Sequence, residues 1–261
     1  MDSWRLLPCT VNDAAMNMAI DEAILSARIA QKVPNTIRLY RWQPSAISVG
    51  RNQNPKTEVY LDNTKLLGVD VVRRISGGGT VYHDKEGEVT YAVIAQTSDL
   101  GTTDITTIYT KIYSAVRDAL RILGTGTDFS AGDPKNCPNL TIDGKKISGS
   151  SQIISRGVVL QHGTLLCSVN LHRMFQLLQL KGVSCTQAAD IAKRKITSLQ
   201  DELGHKISPD TVANALEQGF RIMLRIQLDI GELSEEEKET ANKLYKEKYT
   251  KEEWTLGGKP A

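Results

Sequence analysis

The sequence predicts an α+β fold, and three features carry that expectation. Strand-like segments come in groups, with helical segments between the groups rather than after every strand, which argues against a doubly wound parallel sheet. An Asp143-Gly144 pair between two strand-like runs has the chemistry of a tight hairpin turn. Residues 106–123 place Ile108, Ile112, Ala115, Val116, Ala119, Leu120 and Leu123 on one helical face, and Gly124 supplies the stop.

The elements follow in order. Asn12 or Asp13 caps a helix through residues 16–25, where apolar side chains recur at helical spacing. Val33-Pro34-Asn35 ends it, and residues 36–42 alternate as a half-buried strand does. A second strand covers 46–50 after a turn at Pro44 and Ser45, and residues 63–67 form a short helix leading into a strand at 69–72. A strand at 89–94 precedes the helix of 106–123, and a turn-rich stretch fills 124–138. Residues 140–142 and 145–153 pair across Asp143-Gly144, and a further strand covers 157–169. Residues 171–178 and 211–224 are helical by pattern, and Ser234 with Glu237 forms a capping box for a charged helix reaching about Tyr249. There is no internal repeat, low-complexity tract or linker, so residues 1–261 read as one domain.

Composition narrows the function. Thirty-two Lys and Arg against thirty Asp and Glu leave a net charge of +2, no electrostatic footprint for nucleic acid, so any anion site must be local. No segment approaches the ~20 apolar residues that cross a bilayer, and the first residues lack a signal peptide's basic and apolar regions; a cytoplasmic protein is expected. Cys9, Cys137, Cys167 and Cys185 show no C-x-x-C spacing, so a zinc or redox site is not expected and the thiols should be free. Cys167 reads as a small buried hydrophobe, while Cys137 and Cys185 stay open as nucleophiles.

The densest chemistry lies in Arg73-Arg74-Ile75-Ser76-Gly77-Gly78-Gly79-Thr80-Val81-Tyr82-His83-Asp84. Three glycines cost backbone entropy, about 1 kcal/mol each relative to alanine in a regular element, so bare backbone there suggests a close ligand. Exposed N–H groups beside two guanidinium groups suit a phosphate or another anion; a glycine-rich hairpin with solvated arginines is the plainer alternative. Three other segments accompany it: Gly50-Arg51-Asn52-Gln53-Asn54-Pro55 with Glu58, Asp143 to Ser150 with Lys145 and Lys146, and Gln161-His162-Gly163-Thr164-Leu165-Leu166.

In that order and at those separations the four segments resemble the catalytic domain of lipoate–protein ligases, within the group of biotin and lipoate protein ligases and octanoyltransferases. The resemblance runs from the helix at Met16 to Trp254 and implies mixed, largely antiparallel sheets flanked by helices. It implies an enzyme that activates lipoate or octanoate with ATP to an acyl-adenylate. The acyl group then passes to a lysine of a lipoyl-domain protein, such as a 2-oxoacid dehydrogenase E2 or a glycine-cleavage H protein. Charge building on a carboxylate beside phosphates needs cations and N–H groups fixed beforehand. The resemblance gives that role to Lys146, which would contact both carbonyl and α-phosphate, with Lys145 on the opposite face of the strand. It makes Arg73, Gly77, Gly78, Gly79 and Val81 a wall of the acyl-adenylate pocket, with Asn139 and Gly149 nearby. Arg74 equally suits a structural ion pair. His83 and Asp84 would bind nucleotide or phosphate, or hold the loop through a mutual hydrogen bond; no serine stands with them as a triad nucleophile. His162, Gly163 and Thr164 would line the acyl site, though His162 suits a structural role as well. Mg²⁺ is expected with ATP, held by phosphate oxygens and water, so no protein metal ligand is named.

The sequence departs from the ligase pattern at three places. Pro138 and Asn139 replace an Asn-Asp pair before the lysine, Val89-Thr90 stand where an asparagine is usual, and the chain stops shortly after Trp254. The last point leads to the expectation of a separate accessory subunit. Octanoyltransferases of the same group dispense with ATP and use a cysteine acyl-enzyme, with Cys185 or Cys137 as nucleophile; neither lies in those enzymes' usual cysteine setting. The arginine–glycine run and the segment 191–199 tilt the sequence reading toward the ligase. A non-catalytic acyl- or nucleotide-binding module is the third possibility, and a biotin substrate is disfavoured.

Overall fold

The computed structural model describes residues 3–132 and 138–257. The chain opens with strand β1 (Ser3–Asn12), which sequence periodicity does not reveal. Pro8 interrupts its alternation, and the pairing with the next strand slips between Leu7 and Thr10, a bulge that accommodates a residue unable to donate to the ladder. Helix α1 (Ala14–Ile29) is capped by Asp13, whose carboxylate accepts from Met16 N at 2.7 Å. Strands β2 (Thr36–Trp42) and β3 (Ala46–Val49) follow, then short helices α2 (Pro55–Glu58) and α3 (Leu61–Leu66). Strands β4 (Asp70–Arg73) and β5 (Val81–His83) bracket the glycine run, and β6 (Glu88–Gln96) begins soon after.

Helix α4 (Ile105–Ile122) matches its sequence pattern and is capped by Asp104. The turn-rich stretch contains an unforeseen strand, β7 (Asp128–Ser130), which pairs with β8 (Asn139–Ile142). The Asp143-Gly144 turn connects β8 to β9 (Lys145–Ser155), with both turn residues at positive φ. Strand β10 (Val158–Leu166) ends earlier than its apolar run, because Cys167 N and Ser168 N both turn to the Gly87 carbonyl. The rest comprises α5 (Leu171–Leu177), α6 (Cys185–Lys193), α7 (Leu199–Leu203), α8 (Pro209–Leu224), β11 (Gln227–Ile230) and α9 (Glu235–Leu244). The predicted capping box starts α9, but the last turn before Tyr249 is π-helical (Tyr245–Tyr249), and α10 (Glu252–Gly257) follows.

An eight-stranded sheet runs in the order β11-β1-β2-β6-β10-β9-β8-β7, parallel around β1 and antiparallel from β2 onward. A second sheet has β3 between parallel β4 and antiparallel β5. The two-residue period of β6 divides the core. Val89, Tyr91, Val93 and Ala95 pack with α4 and α8, while Ala92 and Ile94 pack with α1 and the C-terminal segment. Gly219 of α8 lies against the α4 backbone, where a Cβ would collide with the Ala115 carbonyl oxygen. The small sheet has its own core, in which Ile47, Val49 and Tyr82 pack on Met174 and Leu177 of α5.

Candidate active site

A cavity of about 1050 Å³ opens against β9 and β10 of the large sheet and is closed from the other side by β3 and the glycine run. Gly78, Gly79, Val81, His83, Asn139 and Lys146 line it, as do Gly149, His162, Gly163 and Thr164. The sequence motifs therefore converge on one space although they lie up to 112 residues apart, as Asn52 and Thr164 do. Arg73, Gly77 and Asp84 are not among the lining residues.

Lys146 occupies an irregular point of β9. Thr141 pairs with Lys146 but Leu140 pairs with Ser148, so one extra residue bulges there, as β-strands often do beside functional sites. From outside the ladder, Lys146 N donates to Lys195 O at 2.8 Å and Lys146 O accepts from Thr197 N at 3.0 Å. The side chain passes over Gly149, where a Cβ would collide with Cε and Nζ of Lys146. A side chain at 149 would therefore displace the flexible end of Lys146 from this path along the sheet surface. Lys145 is not part of the lining.

The two arginines differ from the anion-facing role that their place beside the glycines suggests. Arg73 directs its guanidinium to backbone carbonyls: Nε to Trp254 at 2.9 Å, NH1 to Gly50, Arg51 and Gln53 at 2.8–3.0 Å, and NH2 to Thr255 at 3.0 Å. It ties the loop after β3 to α10, and Trp254 Nε1 donates back to Arg73 O at 2.8 Å. Arg74 lines the cavity but also binds carbonyls, those of Ser48 (2.9 Å), Gly77 (2.6 Å) and Gly79 (2.6 Å). A structural ion pair is not what Arg74 makes in these contacts; it folds the glycine run by gathering its carbonyl oxygens. Gly78 needs its freedom because its φ is +82°. A Cβ on Gly77 or Gly79 would meet open space, so packing within the protein does not explain those two glycines.

Each histidine is held between a carboxylate and a serine. His162 Nδ1 lies 3.0 Å from Asp21 Oδ2, and its Nε2 lies 2.6 Å from Ser76 Oγ. Burial lowers the His162 pKa despite Asp21, so the ring is neutral, donating from Nδ1 and accepting the Ser76 hydroxyl at Nε2. Burial alone would raise the Asp21 carboxyl, but Arg38 and His162 together hold it below the usual range. The Arg38 guanidinium meets Asp21 at 2.6 Å, and the Tyr40 hydroxyl donates to it at 3.0 Å. His83 does not pair with Asp84, contrary to the hydrogen bond expected from sequence. Its Nδ1 meets Glu88 Oε1 at 2.6 Å, its Nε2 meets Ser48 Oγ at 2.8 Å, and its ring stacks on Trp42 at 4.0 Å. Asp84 instead accepts from Glu86 N at 3.0 Å and from the Tyr82 hydroxyl at 3.3 Å, holding the turn.

Two serines therefore stand with histidines and acids, an arrangement the sequence reading did not find. Ser76 is fully buried and outside the lining, so its hydroxyl serves the ring rather than a substrate. Asp21 and Glu88 were missed because their partners are 141 and 5 residues away. The available signal was an acid among the apolar residues of α1, four positions after Asn17, which shares the Arg38 guanidinium.

The described cysteines stay out of the cavity. Cys185 opens α6 and donates to His172 O at 3.7 Å; it is not a lining residue, so the structure does not bring this candidate nucleophile to Lys146. Cys167 is buried and its thiol is pushed up to about 12. Burial also raises the Cys9 thiol. Cys137 lies outside the described residues, between Gly132 and Pro138, both of which line the cavity.

Comparison with known proteins gives this geometry its family. Octanoyltransferase LipM of Kyrpidia tusciae is 35% identical, over 97% of this chain and 98% of its own length. The LipM of Clostridioides difficile is 31% identical over 97% and 98%. Among solved structures, a bi-partite lipoate protein ligase of Thermoplasma acidophilum superposes with a TM-score of 0.85 at 29% identity, covering 100% of this chain and 99% of that one. A lipoate-protein ligase A bound with ATP gives 0.85 at 28% identity, over 99% and 100%. The model of the lipoyl protein ligase A/B catalytic domain matches residues 13–221. The chain belongs to the lipoyl protein ligase A/B catalytic-domain family.

Proposed function

We propose that the chain is an octanoyltransferase, which takes a medium-chain acyl group from a carrier thioester and places it on a lysine of a lipoyl domain. The observation that carries this reading is the likeness to LipM octanoyltransferases along nearly the whole of both chains. It moves the weight from the ATP-dependent ligase that the arginine–glycine run suggested to the ATP-independent alternative.

The chemistry runs in two balanced steps. A cysteine thiolate attacks the donor carbonyl, the carrier leaves as a thiolate and takes up a proton, and an acyl-cysteine remains. The amine of the acceptor lysine then attacks that carbonyl, loses a proton, and the cysteine thiolate is released. We assign the nucleophile to Cys137, because the described cysteines do not line the cavity and the residues flanking 133–137 do. Lys146 supplies positive charge to the thiolate and to the oxyanion of both tetrahedral intermediates. His83, His162, Gly163 and Thr164 bound the acyl group, with the neutral His162 ring offering no charge to an aliphatic chain. Arg73, Gly77 and Asp84 act one layer back, by shaping the loops.

The ATP-dependent ligase is the second reading, favoured by the likeness to the bi-partite ligase over the whole chain and by the open space at Gly79. In that reading the glycine backbone and Lys146 would hold the phosphates, and a separate accessory subunit would be required. The described lining residues include no Asp or Glu. That donor set does not fit a protein-held Mg²⁺, and no step is routed through one.

Modification of a lipoyl domain, followed by mass, separates the readings. With an octanoyl-carrier thioester and no ATP, the transferase modifies the domain, and Cys137→Ser abolishes this while Cys185→Ser does not. Modification only from free acid with ATP and pyrophosphate release overturns the transferase reading.

A further inference from the structure

The acceptor in either reading is a folded domain, so it must dock around the rim of the cavity before its lysine can reach Lys146. We propose that a basic strip formed by Lys193, Arg194 and Lys195 is that docking surface, and that it recognises an acidic patch flanking the acceptor lysine. The proposal rests on the acceptor half of the functional reading and not on the acyl source.

Three observations carry it. The strip is hydrogen-bonded to the strand that positions the catalytic ammonium: Lys195 O accepts from Lys146 N, and Ile196 forms a parallel bridge with Lys146. All three side chains are exposed, and among the described residues none makes an ion pair within 4.0 Å. Lys145 and Lys146 extend the strip to five cations, against the four acids Asp143, Asp190, Asp201 and Glu202 on the adjoining elements, so it stays net positive. A chain of net charge +2 exerts little pull at distance, and the Debye length at physiological ionic strength is about 8 Å. A concentration of cations at this one rim therefore acts on a docked surface, where charge complementarity fixes orientation and speeds encounter.

Several structural features hold the strip at Lys146. Ser184 caps α6 with a complete capping box, and Arg194 ends the helix. Lys195 N and Ile196 N both return to the Ala192 carbonyl at 2.8 Å, so the chain leaves the helix in a tight turn. Thr197 then donates its hydroxyl to Glu202 at 2.5 Å, and Ser198 caps α7. The cations are thus presented on a short, anchored connection rather than a free loop.

The test uses the full chain and an E2-type lipoyl domain, with binding measured by titration calorimetry from 20 to 500 mM salt. The double variant Lys193→Glu/Arg194→Glu should weaken binding at least tenfold at low salt, with the difference vanishing at high salt. Lys193→Gln/Arg194→Gln should lie between, and acyl transfer to hydroxylamine, which needs no docking, should stay at the unsubstituted level. Neutralising the acidic residues beside the acceptor lysine should give the same loss. Unchanged, salt-independent binding in the charge-reversed variant overturns the proposal, as does equal loss of hydroxylamine turnover. So does weakened binding of the acyl carrier with the lipoyl domain unaffected. Because binding is read without turnover, failure of the transferase reading shows separately, as absence of acyl transfer by the unsubstituted chain.

Discussion

Lys146 and Gly149 are a residue pair in which one exists for the other. The ammonium lies where a Cβ at 149 would be, so Gly149→Ala must push it off the sheet surface. Lys146→Ala should lower acyl transfer by roughly 10²–10³, the usual loss when one preorganised oxyanion partner is removed. Its thermal midpoint should stay close to that of the unsubstituted chain, since the side chain is exposed. Gly149→Ala should lower the rate in the same direction with the lysine still present; an unchanged rate would show that the observed path of Lys146 is not the working one. The motif residues themselves were legible in sequence, because glycines, histidines and a lysine in a fixed order point to a site. Their partners were not. Which carbonyls Arg73 and Arg74 would take, and that His83 would choose Glu88 over its neighbour Asp84, depends on strand register and loop path, and neither is written locally.

At the scale of elements, the helix pair α4–α8 and the C-terminal return decide whether the site is held. Gly219 permits α8 to touch the backbone of α4 at Ala115 and Ala119. Gly219→Ala should destabilise the chain by about 1–3 kcal/mol, as overpacking at a backbone contact does, seen as a lower denaturant midpoint with unchanged slope. An unchanged midpoint would mean the helices separate at no cost. α10 is tied to the base of the glycine run through Arg73 and Trp254, whose indole donates to Arg73 O while Lys248 lies 4.2 Å from its ring centre. Trp254→Ala should cost about 3–5 kcal/mol and lower acyl transfer as well, measured together by thermal unfolding and turnover. The periodic helices and the Asp143-Gly144 hairpin could be read from sequence because their signals are local. β1 and β11 could not: one is broken by Pro8, the other is four residues long, and both exist through the pairing Ser3–Gln227 to Leu6–Ile230.

For the whole molecule, the buried charges near the cavity set the response to acid. The His162 pKa is lowered in the folded chain, so below its unfolded value near 6.5 the unfolded state binds more protons and stability is lost as pH falls. The Asp21 carboxyl is held low, so its contribution is present above about pH 4 and is lost as pH falls through the folded value. Both act in one direction: the thermal midpoint should fall on acidification from pH 7 to 5, and further below pH 4. His162→Gln should flatten the first limb, and a flat profile in the unsubstituted chain would contradict a neutral, buried His162. Removing Asp21 from Arg38 should cost about 3–5 kcal/mol, since it leaves a buried guanidinium short of its counter-charge.

The fold matches solved lipoate-protein ligases while the sequence matches octanoyltransferases, so the acyl source turns on whether a cysteine carries the acyl group. Intact-protein mass after incubation with octanoyl-carrier thioester, without ATP or acceptor, reads this directly. The account predicts one octanoyl adduct, mapped by peptide mass to Cys137, sensitive to hydroxylamine and absent in Cys137→Ser. An unmodified chain that forms acyl-adenylate when given octanoate and ATP would contradict it.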